Sequence, residues 1–213
     1  TLDWALRLAV IITVPAAVGL AILAGPILIT LFQYDAFQPD DVRMSTYSLI
    51  AYSAGLPAFI AVKVLAPGYY ARQDTTTPVK IAIAAMVSNM LLNILFVGLL
   101  LIQGFEGPHA GLALASSAAA YLNAILLYRG LRKRQVYSPE PGWTRLWVAV
   151  SLACTTMGAL LLFMTHDTES WLQASAIFRI RNLSLTIVFG VIVYIFIGMV
   201  AGLKTHHLLR GAK

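Results

Sequence analysis

Six stretches of this chain run for about the length a helix needs to cross a bilayer, and together they carry only three charges, Arg7, Lys63 and Lys80. A spanning helix takes about 20 mostly apolar residues. The runs cover roughly Ala5 to Phe32, Thr46 to Tyr69, Val79 to Ile102, Ala110 to Tyr128, Leu146 to Met164 and Leu183 to Leu203. A soluble domain could not hide so much apolar length. Only 11% of the 213 residues are charged and 59% are hydrophobic, against about 25% and about 45–50% in an average soluble domain. That excludes a soluble enzyme, a disordered chain and a nucleic-acid binder working through a broad basic face. A strand barrel needs alternating segments of about ten residues, and these runs are far longer. The fold class is therefore all-α, a polytopic transmembrane helix bundle with six predicted spanning helices.

The basic residues sort by side. With the N-terminus placed in the cytoplasm, Arg7, Arg72, Lys80, Arg129, Arg132, Lys133, Arg134, Arg145, Lys204, Arg210 and Lys213 fall on the cytoplasmic side. Arg43, Arg179 and Arg181 fall outside, and Lys63 lies within a helix. This positive-inside bias predicts that both termini are cytoplasmic. The densest basic cluster, Arg129 to Arg134, reads as a topology determinant and is also compatible with anionic lipid headgroups. The single cysteine, Cys154, lies in an apolar run and forms no intrachain disulfide. The chain begins with Thr1, and the first run is too long for a signal-peptide core, so a fragment of a longer protein is expected.

Several runs are interrupted. Pro15 and Pro26 lie in the first, Pro57 and Pro67 in the second. Proline removes an intrahelical hydrogen bond and kinks the helix. Paired kinks suit a hinge between two open states, and proline is also simply frequent in membrane helices. Lys63 is the one ionisable side chain well inside a predicted span. Such a charge is costly and marks function; the same side chain, near the cytoplasmic end of its run, also has the length to snorkel. In the functional version it faces an aqueous cavity and meets a phosphate.

Asn89 and Asn93 are four apart and share a helix face. They either bond a neighbouring helix or, with Ser116, lend oxygens to a monovalent cation. The fourth run is rich in small residues, which allows close packing. The last two are bulky, with Leu161, Phe163, Phe189, Val193 and Phe196 on surfaces that face lipid or form a groove for a long prenyl or acyl chain. Enzyme motifs are absent. Asp40-Asp41, the cluster His166, Asp167 and Glu169, and His206-His207 have no metal-ligand spacing, and there is no Walker motif. No catalytic residue, metal or cofactor is expected.

The stretch LFQYDAFQPDD from Leu31, and SLIAYSAGLPAFIAVKVLAPGYYARQDTTTPVKI from Ser48 to Ile81, carry more than composition. With SPEPGW at Ser138 to Trp143, they resemble the MurJ (MviN) family of lipid II flippases. The resemblance runs from Leu2 to about Leu203 and is most specific between Lys63 and Lys80. It implies a transporter of about fourteen helices, of the multidrug/oligosaccharidyl-lipid/polysaccharide exporter superfamily, of which these six are the ninth to fourteenth. Residues 1–134 then belong to the C-terminal lobe, and residues 135–213 form two extra helices with a groove for the lipid tail.

The activity implied is alternating-access transfer of undecaprenyl-diphosphate-linked disaccharide-pentapeptide, lipid II, across a bacterial inner membrane by a monomer, with no bond made or broken. Lys63 and Arg72 are the headgroup candidates. Where the family's ion site carries a carboxylate this chain has an amide, so coupling to sodium or protons stays open. An exporter of another polyprenyl-linked polysaccharide or a drug is the nearest rival. A membrane-embedded enzyme of polyprenyl-phosphate metabolism and a purely structural subunit are the others.

Overall fold

The structure, a computed structural model, describes residues 2–33, 39–105, 107–166, 171 and 174–203. Among them every regular element is helical: α1 (Leu2–Ile22), α2 (Ala24–Phe32), α3 (Pro39–Tyr70), α4 (Thr76–Ile102), α5 (Ala110–Lys133), α6 (Trp143–Met164) and α7 (Ala176–Val200). All but α2 are long and apolar enough to cross a bilayer, giving the six spans expected. The chain is a multi-pass membrane protein.

The ends of the spans differ from expectation, for physical reasons. The first run is two helices, α1 and α2, that meet at Leu23. Backbone bonds continue across the junction, Leu23 N to Gly19 O at 2.9 Å and Ile27 N to Leu23 O at 2.8 Å. Pro26 has no N–H to give Ile22, so the helix bends there and does not unwind. The second span starts at Pro39, not near Thr46. Proline suits a first helical position, and Asp40 and Asp41 favour the positive end of the helix. The fourth runs on to Lys133, so Arg132 and Lys133 sit in its last turn, where the helix dipole favours them. The fifth begins at Trp143, ahead of Leu146. The last begins at Ala176, not Leu183, which takes Arg179 and Arg181 out of the connector and onto α7. Arg179 is buried. Its Nη1 donates to the carbonyls of Ile29 and Gln33, each at 3.3 Å, and so caps the last turn of α2.

The helices pack around α1. On one flank α3 lies against α1 and α5, and α4 against α5; on the other α6 packs on α1 and α7, while α2 meets α3 and α7. Alternating direction brings Leu2, the α3–α4 turn and the α5–α6 connection to one end of the bundle. Buried Ala113, Ala115, Ser117, Ala120 and Ala124 let α5 approach α3 closely. Two α5 hydroxyls then bond α3 carbonyls just ahead of Pro57: Ser117 Oγ to Ala51 O at 2.7 Å and Tyr121 Oη to Ala54 O at 2.9 Å. At the shared end Leu6, Leu65, Tyr69, Leu127, Leu131 and Tyr137 form one core cluster. A second, including Val150, Ala153, Met157, Leu161 and Tyr194, holds α6 and α7 on α1. The outer side of α4, with Ile83, Met90, Leu91 and Ile94, is exposed.

Candidate functional site: a polar groove and an apolar groove

Three helices build a groove of about 440 Å³ whose lining includes Lys63, Asn89, Ser116 and Asn123. Lys63 comes from α3, Asn89 from α4, Ser116 and Asn123 from α5. Lys63 is exposed on the groove. The Oδ1 atoms of Asn89, Asn93 and Asn123 are buried and accept no hydrogen bond. Orphan amide oxygens at membrane depth are costly, and each of these three keeps an acceptor site open. Ser116 Oγ donates to Leu112 O at 3.0 Å, which leaves its lone pairs for the groove. Asn93 lies one turn beyond Asn89 on the same α4 face and is not part of the groove wall. Among the described residues no carboxylate lines it.

Arg72 is elsewhere, exposed in the turn that follows α3. That turn is fixed by its neighbours. Gln73 adopts φ 58°, and Asp74 Oδ1 accepts the Thr77 amide at 3.0 Å, capping α4. Arg134 closes the turn from α5, pairing with Asp74 and donating Nη2 to Thr77 Oγ1 at 2.9 Å. The Thr77 amide and hydroxyl, then Arg134, hold the Asp74 carboxyl down to about 2. Tyr69, fully buried beneath, donates to Leu127 O at 2.9 Å.

The apolar groove, about 500 Å³, lies between α1 on one side and α6 and α7 on the other. Its lining includes Ile12, Pro15 and Leu20 of α1, Leu161 of α6, and Ile187 and Val191 of α7. Of the bulky residues singled out in the sequence, Leu161 lines this groove. Phe163, Phe189 and Phe196 point outward, exposed, and Val193 is half-buried outside the lining. The α1 wall was not legible in the sequence, because it depends on which helix packs beside α7. Tyr194 is the other residue missed. Pro15 cannot donate to the Ile11 carbonyl, and Tyr194 Oη takes that carbonyl at 2.7 Å. A phenol about five turns into an apolar helix is the one signal that could have suggested it.

The four prolines separate. Pro15 is buried in α1 beside the apolar groove, Pro26 lies in the first turn of α2, and Pro57 and Pro67 sit within α3. His166 stacks on Phe163, ring centroids 6.4 Å apart. No three His, Cys, Asp or Glu side chains converge among the described residues. Asp167, Glu169, Lys204, His206, His207, Arg210 and Lys213 lie outside the described residues.

A family model described as "Lipid II flippase MurJ" matches residues 1–182. A "Probable lipid II flippase MurJ" of Haemophilus influenzae is 44% identical over 209 residues, 98% of this chain and 39% of that protein. A "Lipid II flippase MurJ" of Burkholderia cenocepacia is 37% identical over 213 residues, 100% of this chain and 40% of that protein. The chain thus spans about two fifths of the length of these relatives. A solved structure titled "Lipid II flippase MurJ, inward closed conformation" superposes with a TM-score of 0.74 at 24% identity, over 98% of this chain and 39% of that one, and shows the same fold. With the family model matching most of its length, the chain belongs to the lipid II flippase MurJ family.

Proposed function

We propose that the protein carrying this chain moves lipid II, an undecaprenyl-diphosphate-linked peptidoglycan precursor, from the cytoplasmic to the outer leaflet of a bacterial inner membrane. It does so by alternating access, making and breaking no covalent bond. Residues 1–134 belong to the moving lobe and residues 135–213 add the last helix pair. Both ends of the chain face the cytoplasm, and the complete protein works as a monomer.

What carries this reading is the juxtaposition of two unlike grooves on a family-matched fold. A diphosphate-sugar headgroup cannot cross hydrocarbon without charge and hydrogen bonds; a prenyl tail needs only an apolar surface. The first groove offers the Lys63 ammonium and amide groups at membrane depth. The second offers a slot walled by Ile, Leu and Val side chains. Lys63 supplies a point charge to the diphosphate, with Arg72 adding charge near the mouth. Leu161 contacts the tail inside the slot, and Phe163, Phe189, Val193 and Phe196 extend the apolar surface around it. Asn89, Asn93 and Ser116 hold a monovalent cation only weakly, since amide oxygens carry no net charge. Pro15, Pro26, Pro57 and Pro67 are the points at which the helices flex.

The test is complementation in cells depleted of their own flippase, using the complete gene. Wild type is expected to restore export of lipid II. Lys63→Ala should impair it at normal protein abundance, with Lys63→Arg retaining part of the activity. No rescue by the wild-type gene, with the protein present in the membrane, overturns the reading.

A further inference from the structure

The connection from α5 to α6 is a strap fastened across the end of the bundle. It opens on Gln135 and closes on Gly142, both at positive φ, 55° and 103°, and Pro139 and Pro141 stiffen what lies between. Asp3, at the start of α1, is 4% exposed. Its carboxylate takes Arg7 Nε at 2.6 Å, Tyr137 Oη at 2.7 Å, Trp143 Nε1 at 2.9 Å and the Glu140 amide at 3.4 Å. Arg7 then donates Nη2 to the carbonyls of Glu140 and Pro141, each at 3.0 Å, and lies 5.4 Å over the Trp143 ring. One buried carboxylate on α1 therefore gathers the whole strap and the first residue of α6. Two more ties join the same partners further along: Tyr194 of α7 on Ile11 of α1, and Arg179 of α7 on the end of α2. The apolar groove begins beside the Tyr194 tie, with one wall from α1 and the other from α6 and α7.

We propose that Asp3 is a positioning residue that locks the α6–α7 pair to α1, so that both walls of the apolar groove travel as one body and the groove keeps its width while other helices rearrange. Charge-assisted hydrogen bonds are shorter and stronger than neutral ones, and a buried charged group stripped of its partner is strongly destabilising. Separating α1 from α6 then costs the Asp3 bonds to Tyr137, Glu140 and Trp143 and the Arg7 bonds to the strap carbonyls together, while the Asp3–Arg7 pair stays within α1. Without Asp3 the Arg7 guanidinium is left between the strap carbonyls with no counter-charge. The consequence for transport rests on the function proposed above; the lock itself does not.

The experiment is a distance measurement on the complete protein in lipid nanodiscs. Spin labels replace Leu8 on α1 and the exposed Val148 on α6, in a cysteine-free background. Wild type is expected to give a single narrow distance. Asp3→Ala should split or broaden it, and Asp3→Asn, which keeps an acceptor for Tyr137 and Trp143, should fall between. Should Asp3→Ala fail to fold, the double variant Tyr137→Phe/Trp143→Phe removes two of the donors, leaves the Asp3–Arg7 pair in place, and is likewise expected to broaden the distance. A distance as narrow as wild type in the folded variants overturns the lock. A broadened distance with several-fold weaker lipid II export supports it throughout. A broadened distance with undiminished export supports the lock and overturns the assignment of the lipid tail to this groove.

Discussion

At Gly130 a hydrogen stands where any other side chain would collide with Tyr69 Oη. Tyr69 is 1% exposed and its hydroxyl is already committed to Leu127 O, so the ring has nowhere to retreat. Gly130→Ala should cost about 1–3 kcal/mol, the scale of a buried polar group losing its partner. Tyr69→Phe should remove most of that penalty, so thermal unfolding of the two single variants and the double variant is expected to be far from additive. Asp74, in the neighbouring turn, gives a second residue-scale outcome. Its carboxyl is held below its unfolded value, so its contribution is fully present above about pH 4 and is lost as pH falls toward about 2. Amide exchange across residues 71–80 should stay slow from pH 7 to about pH 5 and quicken below about pH 4 beyond the intrinsic trend; Asp74→Asn should show the faster exchange already at pH 7. In the sequence, Lys63, Asn89 and Ser116 were legible, because polar groups inside apolar runs stand out. Asp3 and Arg7 were not, because at the edge of a run they look like an ordinary flanking i,i+4 pair and their other partners lie beyond residue 136.

Spans were legible as elements because hydrocarbon thickness dictates their length. Their ends were not, because an arginine with a buried carbonyl to bond is as much at home in a helix as in a loop. Arg179 illustrates this: it reads as connector and is in fact a buried cap on the last carbonyls of α2. Arg179→Leu should leave those carbonyls short of a donor and loosen α7 from α2, visible as faster amide exchange over residues 28–33. The Pro15–Tyr194 pair is the clearest case of one element completing another. Proline in α1 frees the Ile11 carbonyl, and the phenol of α7 occupies it. Tyr194→Phe strands that carbonyl and should cost about 1–3 kcal/mol. Adding Pro15→Ala supplies an N–H to the same carbonyl, so the double variant should regain most of the stability lost. A Tyr194→Phe protein as stable as wild type, by thermal unfolding in detergent, refutes the coupling.

For the whole molecule, the strongest sequence signal was the one with the least structural detail, the sorting of lysine and arginine. The fold gives that sorting a geometry. The α3–α4 turn and the α5–α6 strap share one end of the bundle, where the Arg134–Asp74 pair and the Asp3 cluster tie them together. The α4–α5 connection lies at the other end, around Gly104. Because the ties are between elements, one end cannot be cytoplasmic for α3 and external for α5; the orientation is a single property of the molecule. Positive charge near short loops is retained on the cytoplasmic side during insertion, and Arg72, Arg129, Arg132, Lys133 and Arg134 all flank the tied end. Cysteines placed singly at Gln73, at Gln135 and at Gly104 of the complete protein, in a cysteine-free background, test this with an impermeant maleimide. The Gly104 position is expected to label in intact spheroplasts. The Gln73 and Gln135 positions should label only after the membrane is opened. Neutralising Arg129, Arg132 and Lys133 together removes charge from the end of α5 and leaves the Arg134–Asp74 tie, so mixed labelling should appear at all three positions together. Labelling of Gln73 or Gln135 in intact spheroplasts of the parent protein reverses the orientation.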